Sequence, residues 1–251
     1  HDIHDATSVH KMAEDYVIHL TKVDGVKIGV PREFLGEGAQ DAVVRQVWRA
    51  LEMLKGEGMV CEEFSWKNLD SALAAYYIIA MAEASSNLAR FDGIRYGLRM
   101  ASGGRDWNAV FSKNRRSGFG FEVKRRIILG TYALSAGYYD EYYLKAQKIR
   151  TLVRRFLDEA FKRFDVLAGP TMPVLPFHIG EKVEDPLEMY MCDIDTVPAN
   201  LAGVPAISIP CGFHGGLPVG LQLIAPPFRE DKLLQLAYTF EGLKRIGCKE
   251  G

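Results

Sequence analysis

The chain has 251 residues, of which 48% are hydrophobic and 25% charged. That is ample material for one large core, or a core with a subdomain, and it excludes a disordered chain. The 31 basic and 32 acidic side chains leave a formal net charge of -1, which excludes a global field able to draw in a polyanion, so any nucleic-acid contact has to be local or carried by a partner.

Cys61, Cys192, Cys211 and Cys248 are scattered and form no CxxC pair, which points to neither a zinc site nor a disulfide scaffold but to reduced thiols in a cytoplasmic protein. The longest apolar run, Ala72 to Ala82, is too short to span a bilayer, so no membrane role is expected. The chain opens at His1 in a polar HDIHDATSVHK segment. Residues 1–25 read as a connector, and the whole as a fragment or cleaved product of one domain.

Val26 to Val30 reads as a short buried strand closed by Pro31. A glycine-containing turn leads to a helix with Asp41 at its cap, an apolar stripe of Val44, Val47, Leu51 and Leu54, and Gly56 at its end. Met59 to Phe64 reads as a second strand, giving a βαβ unit. From Asp70 to Phe91 the pattern is helical with two unlike faces. Tyr77, Ala84, Leu88 and Phe91 lie on the apolar one, whereas Tyr76, Ala80, Glu83 and Asn87 share a polar one. Residues 98–117, with Gly103, Gly104 and mixed charge, read as an exposed excursion.

The chain is organised around Gly118 to Arg150. If that stretch is helical, Arg126, Gly130, Ala133 and Gly137 share one face, a small-residue groove with a cation at one end. Such a groove takes either another helix, the commoner use, or a ligand whose anionic group meets the guanidinium. Tyr139, Tyr143, Ala146, Val153, Phe156, Leu157 and Ala160 then mark an amphipathic helix whose Lys148, Arg155 and Lys162 form a solvated basic row. Asp165 to Ala168 enters a strand ended by Gly169-Pro170, and Pro170, Pro173 and Pro176 impose an extended path. After a turn at Asp185-Pro186, a short helix carries Met189, Tyr190 and Asp193 toward Pro198-Ala199-Asn200. Ala206 to Ile209 and Val219 to Ala225 should pair across a glycine-rich loop, and a helix carrying Leu233, Ala237 and Phe240 closes the alternation.

No GxSxG elbow, P-loop, GxGxxG or HExxH occurs. Ser85 and Ser86 sit mid-helix, where a hydroxyl bonds back to the preceding turn. The six histidines show no metal spacing, so a hydrolytic triad built from this chain alone is not expected. What remains suits binding: Arg126 on a small-residue face, Tyr76 on a polar helix face, and a carboxylate, Asp193 or Asp195, in the apolar stretch MYMCDIDTVPANLAG. A fixed Arg and a fixed Asp are the minimal complement to an amino-acid zwitterion.

The segments YYIIAMAEASSNLARFDGIRYG, GFGFEVKRRIILGTYALSAGYYDEYYLKAQKIRTLV, DPLEMYMCDIDTVPANLAGVPAISIPCG and GLPVGLQLIAPPF resemble the amidase signature family, and within it the A subunits of glutamyl-tRNA(Gln) amidotransferases. The resemblance covers nearly the whole chain. PANLAGVPAISIP and GLPVGLQLI fit many amidase-signature hydrolases, whereas EASSNLARFDGIRYG and the KRR…GTYALSAGYYDEYY run are specific to the amidotransferase subunits. It implies an α/β fold, an α/β/α sandwich with a central mixed sheet of which this is the C-terminal half. It also implies glutamine hydrolysis by a Ser-cis-Ser-Lys triad that lies outside this chain, so that the fragment alone is inactive. The ammonia would pass to a tRNA-binding partner subunit that uses ATP and Mg²⁺ to amidate Glu-tRNA(Gln), with a small third subunit holding the pair. By position in the motifs, Arg126 would hold the glutamine α-carboxylate, Asp193 its α-ammonium, and Tyr76 would help close the pocket; no metal or cofactor is implied within the chain. The alternatives are another amidase-signature hydrolase of small amides, or a non-catalytic substrate-binding or assembly module that keeps the substrate-reading half of an enzyme.

Overall fold

The computed structural model describes residues 1–12, 14–17, 20–67, 69–100, 106–181 and 186–247. His19, Gly103, Gly104, Asp185 and Cys248, all included in the sequence reading above, lie outside them. In chain order the regular elements are β1 (Lys27–Pro31), α1 (Asp41–Gly56), β2 (Val60–Phe64), α2 (Asp70–Asn87), α3 (Trp107–Gly118), α4 (Phe121–Ala133), α5 (Lys145–Ala160), β3 (Val166–Pro170), α6 (Pro186–Met191), α7 (Val197–Ala202), β4 (Ala206–His214), β5 (Leu217–Ile224) and α8 (Glu230–Gly247). The chain divides into two compact units. One comprises His1–Ser65, Asp158–His178 and Gly203–Gly251; the other comprises Trp66–Leu157 and Ile179–Ala202.

The first unit is built on a five-stranded mixed sheet in the order β2-β1-β3-β5-β4. β1 runs parallel to β2 and β3, and β5 is antiparallel to β3 and β4. Side chains alternate across the sheet as a period of two requires. Ile28, Val30, Val166, Ala168, Leu221 and Leu223 share one apolar cluster with Val43, Val47, Leu51 and Leu54 of α1 and Leu233, Leu236 and Phe240 of α8, so both helices cover that face. On the other face glycine makes room for aromatic rings. A Cβ at Gly29 would lie 2.6 Å from Phe164, and one at Gly169 would lie 2.4 Å from Phe34.

The expected βαβ unit is present, with α1 between parallel β1 and β2. Asp41 is not its cap but the first residue of α1. The cap position belongs to Gln40, whose amide oxygen instead accepts the Leu175 N–H at 2.9 Å. β4 and β5 form the expected hairpin, turned at Gly215 and Gly216, which have φ of 56° and 81°; both positions need the left-handed region, where glycine costs least. Pro210 lies inside β4 rather than ending it, and a register shift between Pro210 and Gly212 absorbs its missing donor. Residues 1–25 carry only turns and bends where they are described. They are nonetheless tied to this unit: the Val23 N–H donates to Thr239 Oγ1, and Lys11 Nζ donates to the Phe228 carbonyl.

The second unit is helical. Trp66 stacks on Phe156 of α5 at 4.5 Å, and α5 buries Ala146, Val153 and Leu157 while Lys148 and Arg155 stay outside the core, as the amphipathic pattern requires. The segment read as an exposed excursion is helical from Trp107 onward, where α3 forms with most of its residues exposed. Asp106 caps α3 by accepting the Asn108 N–H at 3.0 Å, and the cap ends the preceding polar, glycine-containing stretch. Buried Asn114 accepts from the Met100 N–H and donates to the Asp92 carbonyl, while Arg115 donates to the Leu88 and Phe91 carbonyls, so α3 clamps the turn after α2. Asp106→Ala should cost about 1 kcal/mol, seen as faster amide hydrogen exchange in the first turn of α3 with the rest of the chain unchanged.

Gly118 to Arg150 is not one helix. α4 ends at Ala133, Gly137 sits at φ 89° beyond it, and a π-helical turn, Tyr139–Leu144, leads into α5. Only Arg126, Gly130 and Ala133 therefore keep the common face. Its partner is a helix: a Cβ at Gly130 would lie 1.9 Å from the Met81 carbonyl oxygen, so α4 crosses α2 backbone to backbone at this point. Among the described residues no helix is long and apolar enough to cross a membrane.

Candidate amino-acid-reading site

Arg126, Tyr76 and Asp193 all belong to the second unit, on α4, on α2 and in the turn between α6 and α7. The crossing at Gly130 sets Arg126, one turn earlier on α4, beside α2. Its guanidinium carbon lies 5.7 Å from the centre of the Tyr77 ring and 5.9 Å from that of Tyr190, within cation–π range of both. The two rings stack on each other at 4.0 Å. Tyr77 then donates its hydroxyl to Asp193 Oδ2 at 2.5 Å. Arg126 and Asp193 thus converge on one tyrosine pair.

The residue that makes this link is Tyr77. Tyr76 meets Tyr77 edge-on at 5.1 Å and is half-buried, one position round the helix from the hydrogen-bonded ring. Burial pushes the Tyr77 phenol well above its usual range and the Asp193 carboxylate adds to the effect, so Tyr77 stays a donor throughout the physiological range. The two aspartates stand in different environments. Asp193 is half-buried and faces Tyr77, whereas Asp195 is 1% exposed and burial pushes its carboxyl up to about 8. A carboxyl neutral at pH 7 is a poor partner for an ammonium group.

Glu122 and Tyr190 complete the cluster without having been singled out in the sequence. Glu122 Oε1 accepts from Arg126 Nε and from the Tyr190 hydroxyl, each at 2.9 Å, while Oε2 lies 3.1 Å from Arg125. Burial opposes ionisation of Glu122, but these hydrogen bonds and the adjacent guanidinium groups hold it below the usual carboxylate range. Burial likewise works against the Arg126 cation, and the Glu122 carboxylate more than offsets it, so the Arg126 pKa is raised. The Glu122–Arg126 pair stands at i, i+4 on a helix and could have been read from spacing; Tyr190, far along the chain, could not.

The other features carry less chemistry. Ser85 Oγ donates back to the Ala82 carbonyl at 2.8 Å, as expected of a mid-helix serine. The first unit has a cleft of about 310 Å³ whose lining, apart from the mutually hydrogen-bonded hydroxyls of Thr171 and Ser208, is apolar. Among the described residues no group of three His, Cys, Asp or Glu side chains could hold a metal ion.

The amidase family model matches residues 1–234. The chain belongs to the amidase family. It is 56% identical over 241 residues to the A subunit of glutamyl-tRNA(Gln) amidotransferase from Methanosarcina mazei, and 55% identical over 242 residues to its counterpart from Moorella thermoacetica. In both cases 96% of this chain is matched, against 50% and 49% of the relative. The chain spans about half the length of the curated relatives it matches, and the match fits their C-terminal portion. The crystal structure of the Thermotoga maritima counterpart superposes with a TM-score of 0.73 at 37% identity, over 96% of this chain and 47% of that one. A 6-aminohexanoate cyclic dimer hydrolase also reaches a TM-score of 0.73, at 19% identity, over 96% of this chain and 50% of that one, and shares the fold alone. The α/β amidase-signature class expected from the motifs is thereby established.

Proposed function

We propose that the chain supplies the amino-acid-reading part of a glutamine-hydrolysing amidotransferase subunit. Arg126 takes the glutamine α-carboxylate, Asp193 takes the α-ammonium, and Tyr76 borders the pocket beside Tyr77. The observation that carries this reading is the convergence of a guanidinium and a carboxylate, remote in sequence, on the stacked Tyr77–Tyr190 pair. Such a pair matches a zwitterion, and the likeness to the Methanosarcina and Moorella amidotransferases supplies the reaction class. In this reading the serine nucleophile and lysine that cut the side-chain amide are contributed from outside this sequence, so the 251-residue chain alone has no glutaminase activity. The released ammonia goes to a partner subunit that activates Glu-tRNA(Gln) with ATP and Mg²⁺ and converts it to Gln-tRNA(Gln) in the cytoplasm, with a small third subunit completing the assembly. ATP and tRNA are the business of that partner, and this chain meets only the amino acid.

The test is Arg126→Ala in the complete subunit, assembled with its partners. The KM for glutamine should rise about 30-fold, the value of a lost charge-assisted pair, while amidation driven by added ammonia continues. If both reactions fall together, Arg126 holds the fold rather than the substrate.

A further inference from the structure

The recognition pair is not free-standing. Arg126 reaches Asp193 through a chain of contacts in which every link is a specific polar or ring contact: Arg126 Nε donates to Glu122 Oε1, the Tyr190 hydroxyl donates to the same oxygen, Tyr190 stacks on Tyr77, and Tyr77 donates to Asp193. We propose that Glu122 and Tyr190 are positioning residues that fix the Arg126 guanidinium and couple it to Asp193, so that the carboxylate and ammonium ends of the substrate are read by one pre-set unit. This rests on the reading given under Proposed function and adds to it two residues, an orientation and a coupling.

Three physical points support it. First, a carboxylate beside an arginine that must receive another carboxylate looks self-defeating, but here Arg125 and Arg126 face the single Glu122, and these three side chains keep a net positive charge for the ligand. Secondly, an arginine side chain has many rotamers, and an unfixed one loses that freedom at each binding event. Glu122 grips it through Nε, which leaves the two terminal nitrogens for an incoming group. The substrate carboxylate therefore binds end-on to those nitrogens rather than side-on through Nε. Thirdly, Glu122 Oε1 also accepts from the Tyr190 hydroxyl and Oε2 faces Arg125, so the group that grips Arg126 is itself held by two further partners. The Tyr77–Tyr190 stack then ties the two readers together, because the Arg126 guanidinium lies within cation–π range of both rings and Asp193 is bonded to both residues, to the Tyr77 hydroxyl through its carboxylate and to the Tyr190 carbonyl through its N–H.

The decisive experiment uses the complete subunit in its assembled complex, with Glu122→Gln and Tyr190→Phe made alone and in the Arg126→Ala background. Both are nearly isosteric, and Tyr190→Phe keeps the ring on which Tyr77 stacks. Each alone should raise the KM for glutamine, about tenfold for Glu122→Gln and about fivefold for Tyr190→Phe, with kcat at saturating glutamine within about twofold and the melting temperature unchanged. In the Arg126→Ala background neither should add a further increase, because there is no guanidinium left to orient. A residue that merely supports the fold would lower kcat and the melting temperature together, and its effect would persist without Arg126. Unmoved KM values, or effects that add to that of Arg126→Ala, overturn the inference. If Arg126→Ala is selective for glutamine while these two variants are silent, only the positioning role fails; if Arg126→Ala is itself unselective, the functional reading fails first.

Discussion

Gly130→Ala is expected to destabilise the second unit by about 3 kcal/mol, at the upper end of overpacking costs, and to lower its melting temperature accordingly. In most helices the same change is favourable by roughly 0.5–1 kcal/mol, because alanine loses less backbone entropy. The sign reverses here because the new methyl would lie 1.9 Å from the Met81 carbonyl oxygen and 2.4 Å from its carbonyl carbon. Both are backbone atoms, so no rotamer change relieves the clash and α4 must move off α2. Arg126 would move with it, away from the Tyr77 ring that α2 presents, so on the proposed reading the KM for glutamine in the complete subunit should rise as well. Gly56→Ala is the matched control. It lies in the last turn of α1 with nothing within 4 Å of an added Cβ, and should be neutral or slightly stabilising. Urea unfolding of the two variants against the parent settles the matter; a stable Gly130→Ala would mean that the crossing is looser than backbone contact.

This crossing also explains how far the sequence could be read. The stripe of small residues with Arg126 at its end was legible because helical periodicity depends only on local spacing, and it correctly implied a close helix neighbour. It ran too far only at Gly137, where φ of 89° takes the chain out of the helix; a glycine fits a helix face and a left-handed turn equally well on paper. The hairpin of β4 and β5 was legible for the complementary reason: two apolar runs flank a Gly215-Gly216 pair whose only good use is a tight reversal. α3 was missed because glycines and charges just before it mask the cap at Asp106. The site divides along the same line. Glu122 and Arg126 are a local i, i+4 pair, but the choice between Tyr76 and Tyr77 turns on a bond to Asp193, a partner remote in the chain. Periodicity put Tyr77 on the apolar face, and it is indeed buried; its hydroxyl is the part that pattern could not see.

Asp195 provides the second large effect, through pH. Its carboxyl is 1% exposed and burial raises its pKa to about 8, against roughly 3.9 in an unfolded chain. Below about pH 4 it is protonated in both states and contributes no pH dependence. Between about 4 and about 8 the folded chain holds a proton that the unfolded chain has released, so stability falls as pH rises, at up to about 1.4 kcal/mol per pH unit. Above about 8 both states are ionised and the loss is complete. Asp195→Asn keeps the size of the neutral side chain and cannot ionise, so it removes this slope. The variant should be close to the parent in urea unfolding at about pH 4 and more stable by about 3 kcal/mol at about pH 8.5, a figure below the full linkage value because water and relaxation reach a buried charge. Parallel stability curves for parent and variant across that range would mean that Asp195 is ionised in the fold. Asp193, two positions earlier, stands in a different environment: it is half-buried and accepts the Tyr77 hydroxyl, whereas burial favours the neutral form of Asp195. A substitution at Asp195 should therefore act on stability with pH and, on the proposed reading, leave the KM for glutamine unchanged.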